Sequence, residues 1–347
     1  MKIVNFPTVV EKAWKAYDPS IPIVSITDIS AMVSTNHVYK VSFSGRKSLI
    51  AKLSFFGRYG HFKEDHAIIN FMAKKLASPY KNFLARSLQK NKQVFTFRDQ
   101  SLEHDIWVVF YKPIPIKEKL PRRLGKSHII KLAHELAHFH KACTEIAPYL
   151  PSSSKSLRSD IIDLHKLLHS AEGRHTYHRH IGLIQEHCEQ FLSNIENLPY
   201  GQFNSIPVFV DWNIGNFSVT TDGAFYSRWD YDWFRICSRV LDFYFFSRVV
   251  SDVGDQTMFS YLIDTFMEDR FLLFLIEYHK VFPLRKAEIY FLKEAYRFFI
   301  LNYVVKYGHH FFHSFYAKKL QKEAYELYLP QIDQNFNPDK ILKALNI

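Results

Sequence analysis

Asp211, Asn216 and Asp230 are the residues whose types and spacing could do chemistry together. Asp211 and Asn216 lie five apart in the run Asp-Trp-Asn-Ile-Gly-Asn, and Asp230 follows fourteen residues after Asn216. An aspartate on a loop between short strands can orient a substrate hydroxyl and accept its proton, while an asparagine oxygen reaches a divalent metal. Asp230 ends the returning strand of a hairpin, which brings its carboxylate towards Asn216. Mg2+ takes one or two protein oxygens and completes its shell with phosphate and water. From spacing alone, Asp211 and Asn216 read equally well as turn residues, and Asp230 as a chance strand end.

The elements that must position this triplet form a β island. Strands are expected at 206–210, 217–219 and 224–229, with a Thr-Thr-Asp-Gly turn at 220–223. Helical periodicity surrounds the island. A helix at 127–142 is expected to be capped by Ser127, with Ile129, Leu132, Leu136 and Phe139 on one stripe. A second helical stretch, 165–195, carries possible breaks at Gly173 and Gly182. Beyond Asp242 the chain reads as helix to its end, where Ile289, Leu292, Tyr296, Phe299 and Tyr303 make a buried face. The first part of the chain differs. It reads as a helix at 8–17, strands at 37–43 and 48–55 joined by a Ser-Gly-Arg turn, a helix at 61–76, and strands at 93–97 and 105–111. The layout is α+β in two lobes, a strand-rich one at 1–112 and a mainly helical one at 113–347, with a hinge near 111–116.

The triplet and its surroundings resemble the aminoglycoside phosphotransferase and choline kinase-like family. That family's signature is His-Gly-Asp-x-x-x-x-Asn, followed by a metal-binding Asp before an aromatic residue. Here Phe-Val-Asp211-Trp-Asn-Ile-Gly215-Asn216 matches the Asp, the Gly before the Asn, and the Asn, and Arg-Trp-Asp230-Tyr-Asp232 resembles the later segment. Asp242-Phe243 stands where the family has an Asp-Leu that anchors the loop, and that spacing selects Asp230 over Asp232. The resemblance implies a bilobal protein-kinase-like fold with a small antiparallel-sheet N-lobe. It implies Asp211 as the catalytic residue, and Asn216 and Asp230 as metal ligands. Ser34 to Val41 resembles the nucleotide loop and first hairpin, and Lys52 stands where the family's lysine meets the ATP phosphates. Glu64 is the residue to pair with Lys52, with Asp65 and His66 as neighbours able to take its place. Residues 111–114 would face adenine, although Pro113 has no N–H to donate. The implied cofactors are ATP (or GTP) and Mg2+. The implied partner is a small molecule with a hydroxyl, such as an aminoglycoside, choline, homoserine or a sugar. Phe209 and Val210 depart from the family's His and Gly, and 29–35 lacks glycine. These departures motivate the alternative of a kinase-like protein that binds nucleotide or ligand without phosphate transfer.

Composition bounds the rest. The 347 residues are 47% hydrophobic and 23% charged, enough to bury a substantial core. No apolar run is long enough to span a membrane, and polar residues interrupt the first twenty positions, so neither a spanning helix nor a cleaved leader is expected. Three widely spaced cysteines point to a reducing compartment, and the protein is expected to be cytoplasmic. The net charge of +11 is spread along the chain without a basic block, which reads as a basic surface rather than a nucleic-acid partner. Aromatics at 16% must be mostly core, while Tyr244, Phe245, Phe246, Tyr303, Phe311 and Phe312 could line a pocket for a cationic substrate. His134-Glu135-Leu-Ala-His138 spells a zinc-protease pattern, but its third ligand is missing and its histidine face is expected to point to solvent.

Overall fold

The N-terminal helix α1 (Phe6–Tyr17) begins where Asn5 Oδ1 accepts the Thr8 N–H at 3.3 Å and Pro7 occupies the first turn. Both features deal with donors that a helix start leaves unpaired. Val9, Val10, Ala13 and Trp14 form its buried face, and Trp14 packs on Phe43 and Phe110 with ring centroids 4.5 and 5.6 Å apart. The computed structural model describes residues 5–31, 36–102, 104–256 and 260–347, so Ser34 and Thr35 lie outside the described residues.

The strands beneath α1 are β1 (Ile23–Asp28), β2 (His37–Phe43), β3 (Ser48–Ser54), the short hairpin β4 (Gln89–Lys90) and β5 (Gln93–Val94), then β6 (Thr96–Gln100) and β7 (Asp105–Tyr111). Five of them form one antiparallel sheet in the order β1-β2-β3-β7-β6. Strand β1 has no sequence signal because it is an edge strand without alternation, and Val24 within it is exposed. Gly45 supplies the left-handed turn between β2 and β3, at a φ of 71°. Ala51 and Leu53 face α1, while Lys52 lies on the opposite face at 5% exposure, opposite Val109 in the ladder. Helix α2 (Tyr59–Lys75) covers that second face: Phe62 packs on Trp107 at 5.9 Å, and His66 Nε2 meets Tyr111 Oη at 2.5 Å. Lys52 is thus buried on the face covered by the helix that carries Glu64, which is half-buried, and Asp65, which is buried.

The chain divides into two compact units, Met1–Pro115 with His310–His313, and Ile116–His309 with Ser314–Ile347. In the second unit, α3 (Lys126–Ile146) buries Ile129, Leu132, Leu136 and Phe139, as the stripe predicts. Its cap is Gly125 rather than Ser127; the Gly125 N–H donates to His128 Nδ1 at 3.3 Å, so Ser127 falls inside the first turn. Helices α4 (Leu157–His169), α5 (Ala171–Tyr177) and α6 (Ile181–Asn197) follow. The breaks between them fall at Ser170 and at 178–180, and Gly173 and Gly182 sit inside helices. Gly173 serves close approach instead: a Cβ there would lie 1.8 Å from the Leu167 carbonyl oxygen.

Two small antiparallel ladders carry the triplet. β8 (Ser205–Val208) pairs with β11 (Arg235–Ser238), and between them β9 (Phe217–Val219) pairs with β10 (Phe225–Arg228). The 220–223 turn forms as expected, with Gly223 at a φ of 82°. Helix α7 (Phe243–Val250) is buried along its whole length. It packs against α8 (Asp269–Val281) and α9 (Lys286–Phe299), and wider π-helical turns at Ile300–Lys306 continue α9. All five residues of the stripe from Ile289 to Tyr303 are buried.

Candidate active site

Loop 209–216 joins β8 to β9, and its backbone is fixed from below by Asp242, the residue preceding α7. Asp242 Oδ1 accepts the N–H groups of Phe209 at 3.0 Å and Val210 at 2.7 Å, and Oδ2 meets His140 Nε2 at 3.0 Å. His140 Nδ1 in turn meets Tyr278 Oη at 2.8 Å. His140 and Asp242 have no exposed surface, and burial outweighs the attraction of Asp242 to push the imidazole pKa down. These bonds hold Val210 at a φ of 62°, a conformation that a β-branched side chain strains against.

Asp211 emerges from this turn half-buried. Its Oδ1 accepts the Asn213 N–H at 3.2 Å, and its carbonyl accepts Arg228 Nη2 at 2.7 Å and Asn216 Nδ2 at 3.5 Å. The Asp211 carboxyl is pushed up to about 6, first by loss of solvent and then by the charge of Asp230; the Asn213 N–H, Arg228 and Arg248 pull the other way. Asn216 accepts the Trp229 N–H at 3.0 Å through its own carbonyl, which ties the loop to the segment entering Asp230. Asp230 lies two residues past the end of β10, at a φ of 67°, and its Oδ1 accepts the Asp232 N–H at 3.3 Å. Asp211, Asn216 and Asp230 are therefore brought together by the two ladders. Lys52, Glu64 and Asp65 belong to the first unit and share the α2-covered face of its sheet.

The donor set suits a hard cation. Burial first, and the charge of Asp230 second, disfavour the ionised Asp211 carboxyl; a cation beside both carboxylates would offset that, and Asn216 adds a neutral oxygen. No group of three or more His, Cys, Asp or Glu able to hold a metal occurs among the described residues. Such a cation would thus need oxygens from water and a bound phosphate, as Mg2+ does.

Three contributors carry no role in the sequence reading. Arg228 is fully buried against the Asp211 carbonyl, and Arg248 Nη1 donates to Asn213 Oδ1 at 3.4 Å. His140 has no partner legible in the sequence, because Asp242 lies 102 residues away. Arg248 does leave a signal, a lone charge in Phe-Tyr-Phe-Phe-Ser-Arg-Val-Val. Arg228 leaves none, since an arginine at a strand end reads as exposed.

The zinc-protease pattern dissolves on inspection, though not by pointing wholly to solvent. His134 Nε2 meets Glu277 Oε2 at 3.0 Å, and Glu135 is buried, accepting the Phe225 N–H at 3.1 Å. Only His138 is exposed. Glu135 turns inward because the β9–β10 hairpin needs an acceptor for the first N–H of β10. In the expected hinge, the Lys112 N–H donates to the Arg86 carbonyl at 3.0 Å, and Pro113 and Pro115 have none to give.

No protein-family profile and no curated protein matches the sequence. Solved structures do match. An amicoumacin kinase in complex with AMP-PNP, Ca2+ and Ami superposes with a TM-score of 0.63 at 12% identity, covering 96% of this chain and 95% of that one. The gentamicin complex of APH(2")-IIa gives 0.55 at 12% identity, covering 98% and 99%. The GDP complex of wild-type aminoglycoside 2'-phosphotransferase-IIIa gives 0.53 at 12% identity, covering 95% and 99%. At such identity the likeness is one of fold, and the chain has the α+β, bilobal, protein-kinase-like fold of these phosphotransferases.

Proposed function

We propose that this protein is a cytoplasmic phosphotransferase that moves the terminal phosphoryl group of ATP or GTP, with Mg2+, onto a hydroxyl of a small molecule. The observation that carries the reading is the half-buried Asp211 carboxylate, on a strained loop, facing the charge of Asp230. Its pKa of about 6 leaves Asp211 ionised at neutral pH and basic enough to take a hydroxyl proton as the oxygen attacks. Asn216 and Asp230 would hold the metal, which supplies charge neutralisation at the transferring phosphate when bound. Lys52, steadied by Glu64 or Asp65 on α2, would place a point charge on the phosphates. Catalysis is then alignment and electrostatics rather than covalent chemistry. The fold supports the reading, because the structures that share it include an amicoumacin kinase bound to AMP-PNP and aminoglycoside phosphotransferases.

A binding-only reading draws on one observation: within 112–115, only Ile114 keeps a backbone N–H not already given to Arg86 or absent in proline. A nucleotide base would meet a hinge poor in donors. One experiment separates the readings: thermal stabilisation by ATP or GTP with Mg2+ or with EDTA, in wild type and Asp230→Ala, followed by transfer of labelled phosphate to pooled hydroxyl compounds. The proposal expects a metal-dependent shift that Asp230→Ala loses, and a labelled product. A shift without any product would favour binding only, and no shift with any nucleotide would refute the phosphotransferase reading and favour a protein that binds another ligand without phosphate transfer.

A further inference from the structure

Arg228 is a charged side chain with no exposed surface, and among the described residues only one of its guanidinium nitrogens finds a hydrogen-bond partner. Nη2 donates to the Asp211 carbonyl at 2.7 Å, while Nε and Nη1 are buried without a hydrogen-bond partner among the described residues. A buried cation left so short of partners is expensive unless something else compensates it. Two kinds of group do. The guanidinium lies over the ring of Trp212 at 4.2 Å and of Phe209 at 4.5 Å, and the carboxylates of Asp211, Asp242 and Asp230 are within electrostatic reach. An apolar side chain of similar volume would fill the same space without the desolvation cost. Stability alone therefore does not account for an arginine at this position.

What the arginine touches does account for it. One side chain contacts Phe209, the Asp211 peptide and Trp212, and the remaining residue of that run, Val210, is held by Asp242. All four residues from 209 to 212 are thereby fixed, including the left-handed Val210 that would otherwise relax. Rings at 209 and 212 also suit a cation between them. We infer that Arg228 is the positioning residue of the loop, clamping Phe209 and Trp212 on either side of Asp211 so that its carboxylate is presented in a single orientation. The inference rests on the reading of Asp211 as the residue that faces the acceptor hydroxyl. Phe209 is part of the same device: the aromatic face at 209 is what lets a buried guanidinium lie there.

The test uses the full chain, as wild type, Arg228→Met and Arg228→Lys, with two readouts. The first is native-state hydrogen exchange at the amides of Asn213 and Asn216, which close the loop onto Asp211 and Asn213. Arg228→Met should speed exchange there by about tenfold or more while amides of α8 and α9 keep their protection. Arg228→Lys, which keeps the charge but loses the planar fork, should fall between. The second is phosphoryl transfer to an acceptor, or to water as nucleotide hydrolysis: kcat should fall by about a hundredfold in Arg228→Met, with the nucleotide KM nearly unchanged. Uniform loss of protection across the unit, with kcat per folded molecule unaltered, overturns the inference. If Arg228→Met does not fold, Arg228→Lys decides: faster loop exchange at unchanged Tm supports positioning, and wild-type loop exchange refutes it. Absence of any transfer in wild type would count against the proposed reaction, while the exchange data would still decide the role of Arg228.

Discussion

Replacing Asp211 by Asn should make the protein more stable at neutral pH while removing its activity. The carboxyl is held at about 6 against an ordinary value of 3.8, so the folded state keeps a proton that the unfolded chain gives up across this interval. For a raised carboxyl, the folded state is relatively favoured below pH 3.8, and that advantage is lost as pH rises through 6. Two pKa units correspond to roughly 3 kcal/mol, an upper bound on the cost of carrying the Asp211 charge at pH 8. An asparagine keeps an oxygen for the Asn213 N–H but gives up the attraction to Arg228 and Arg248. A net gain of about 1–3 kcal/mol at pH 8 is therefore expected, shrinking towards zero near pH 4. Urea unfolding of both proteins in EDTA, at steps from pH 4.5 to pH 8, measures the difference directly. Mg2+ with nucleotide should narrow the gap, because a bound cation relieves the repulsion from Asp230. A destabilised Asp211→Asn protein at pH 8, or a difference flat across that range, would refute the reasoning. Phosphoryl transfer by the same variant should drop by about a hundredfold or more.

Asp242→Ala strips the acceptor from two buried N–H groups and from buried His140, and should cost about 3–5 kcal/mol in urea denaturation. Asp242→Asn, which keeps one oxygen, should cost less, and equal costs would argue against these bonds as the anchor. Glu64→Gln and Asp65→Asn, compared by nucleotide affinity, should differ by about tenfold in favour of whichever carboxylate does not steady Lys52. Identical affinities for both would remove α2 from the nucleotide site. Gly254→Ala should destabilise by about 2 kcal/mol or more, since φ is 70° and the new Cβ would lie 2.3 Å from the Arg122 carbonyl oxygen. Near-neutral thermal scans of that variant would show that the 251–255 turn can shift.

What the sequence determined by itself is local. Apolar spacing marked the buried stripes of α3 and α9, because a helix buries every third or fourth residue whatever it packs against. Gly45 and Gly223 marked their turns, since only glycine enters that conformation freely. The order of Lys52, Glu64, Asp211, Asn216, Asp230 and Asp242 carried the family resemblance, and the two ladders do bring Asp211, Asn216 and Asp230 together. Edge strand β1 and short β11 were invisible because each is defined by its ladder partner and not by its own pattern. Glu135 turning inward, Gly125 rather than Ser127 capping α3, and the helix breaks missing Gly173 and Gly182 were likewise set by neighbours distant in sequence or by close packing. The strained Val210, the raised Asp211 and the buried Arg228 were decided only by the tertiary structure. A charge removed from water takes its energy from whatever surrounds it, and those surroundings exist only once the chain has folded.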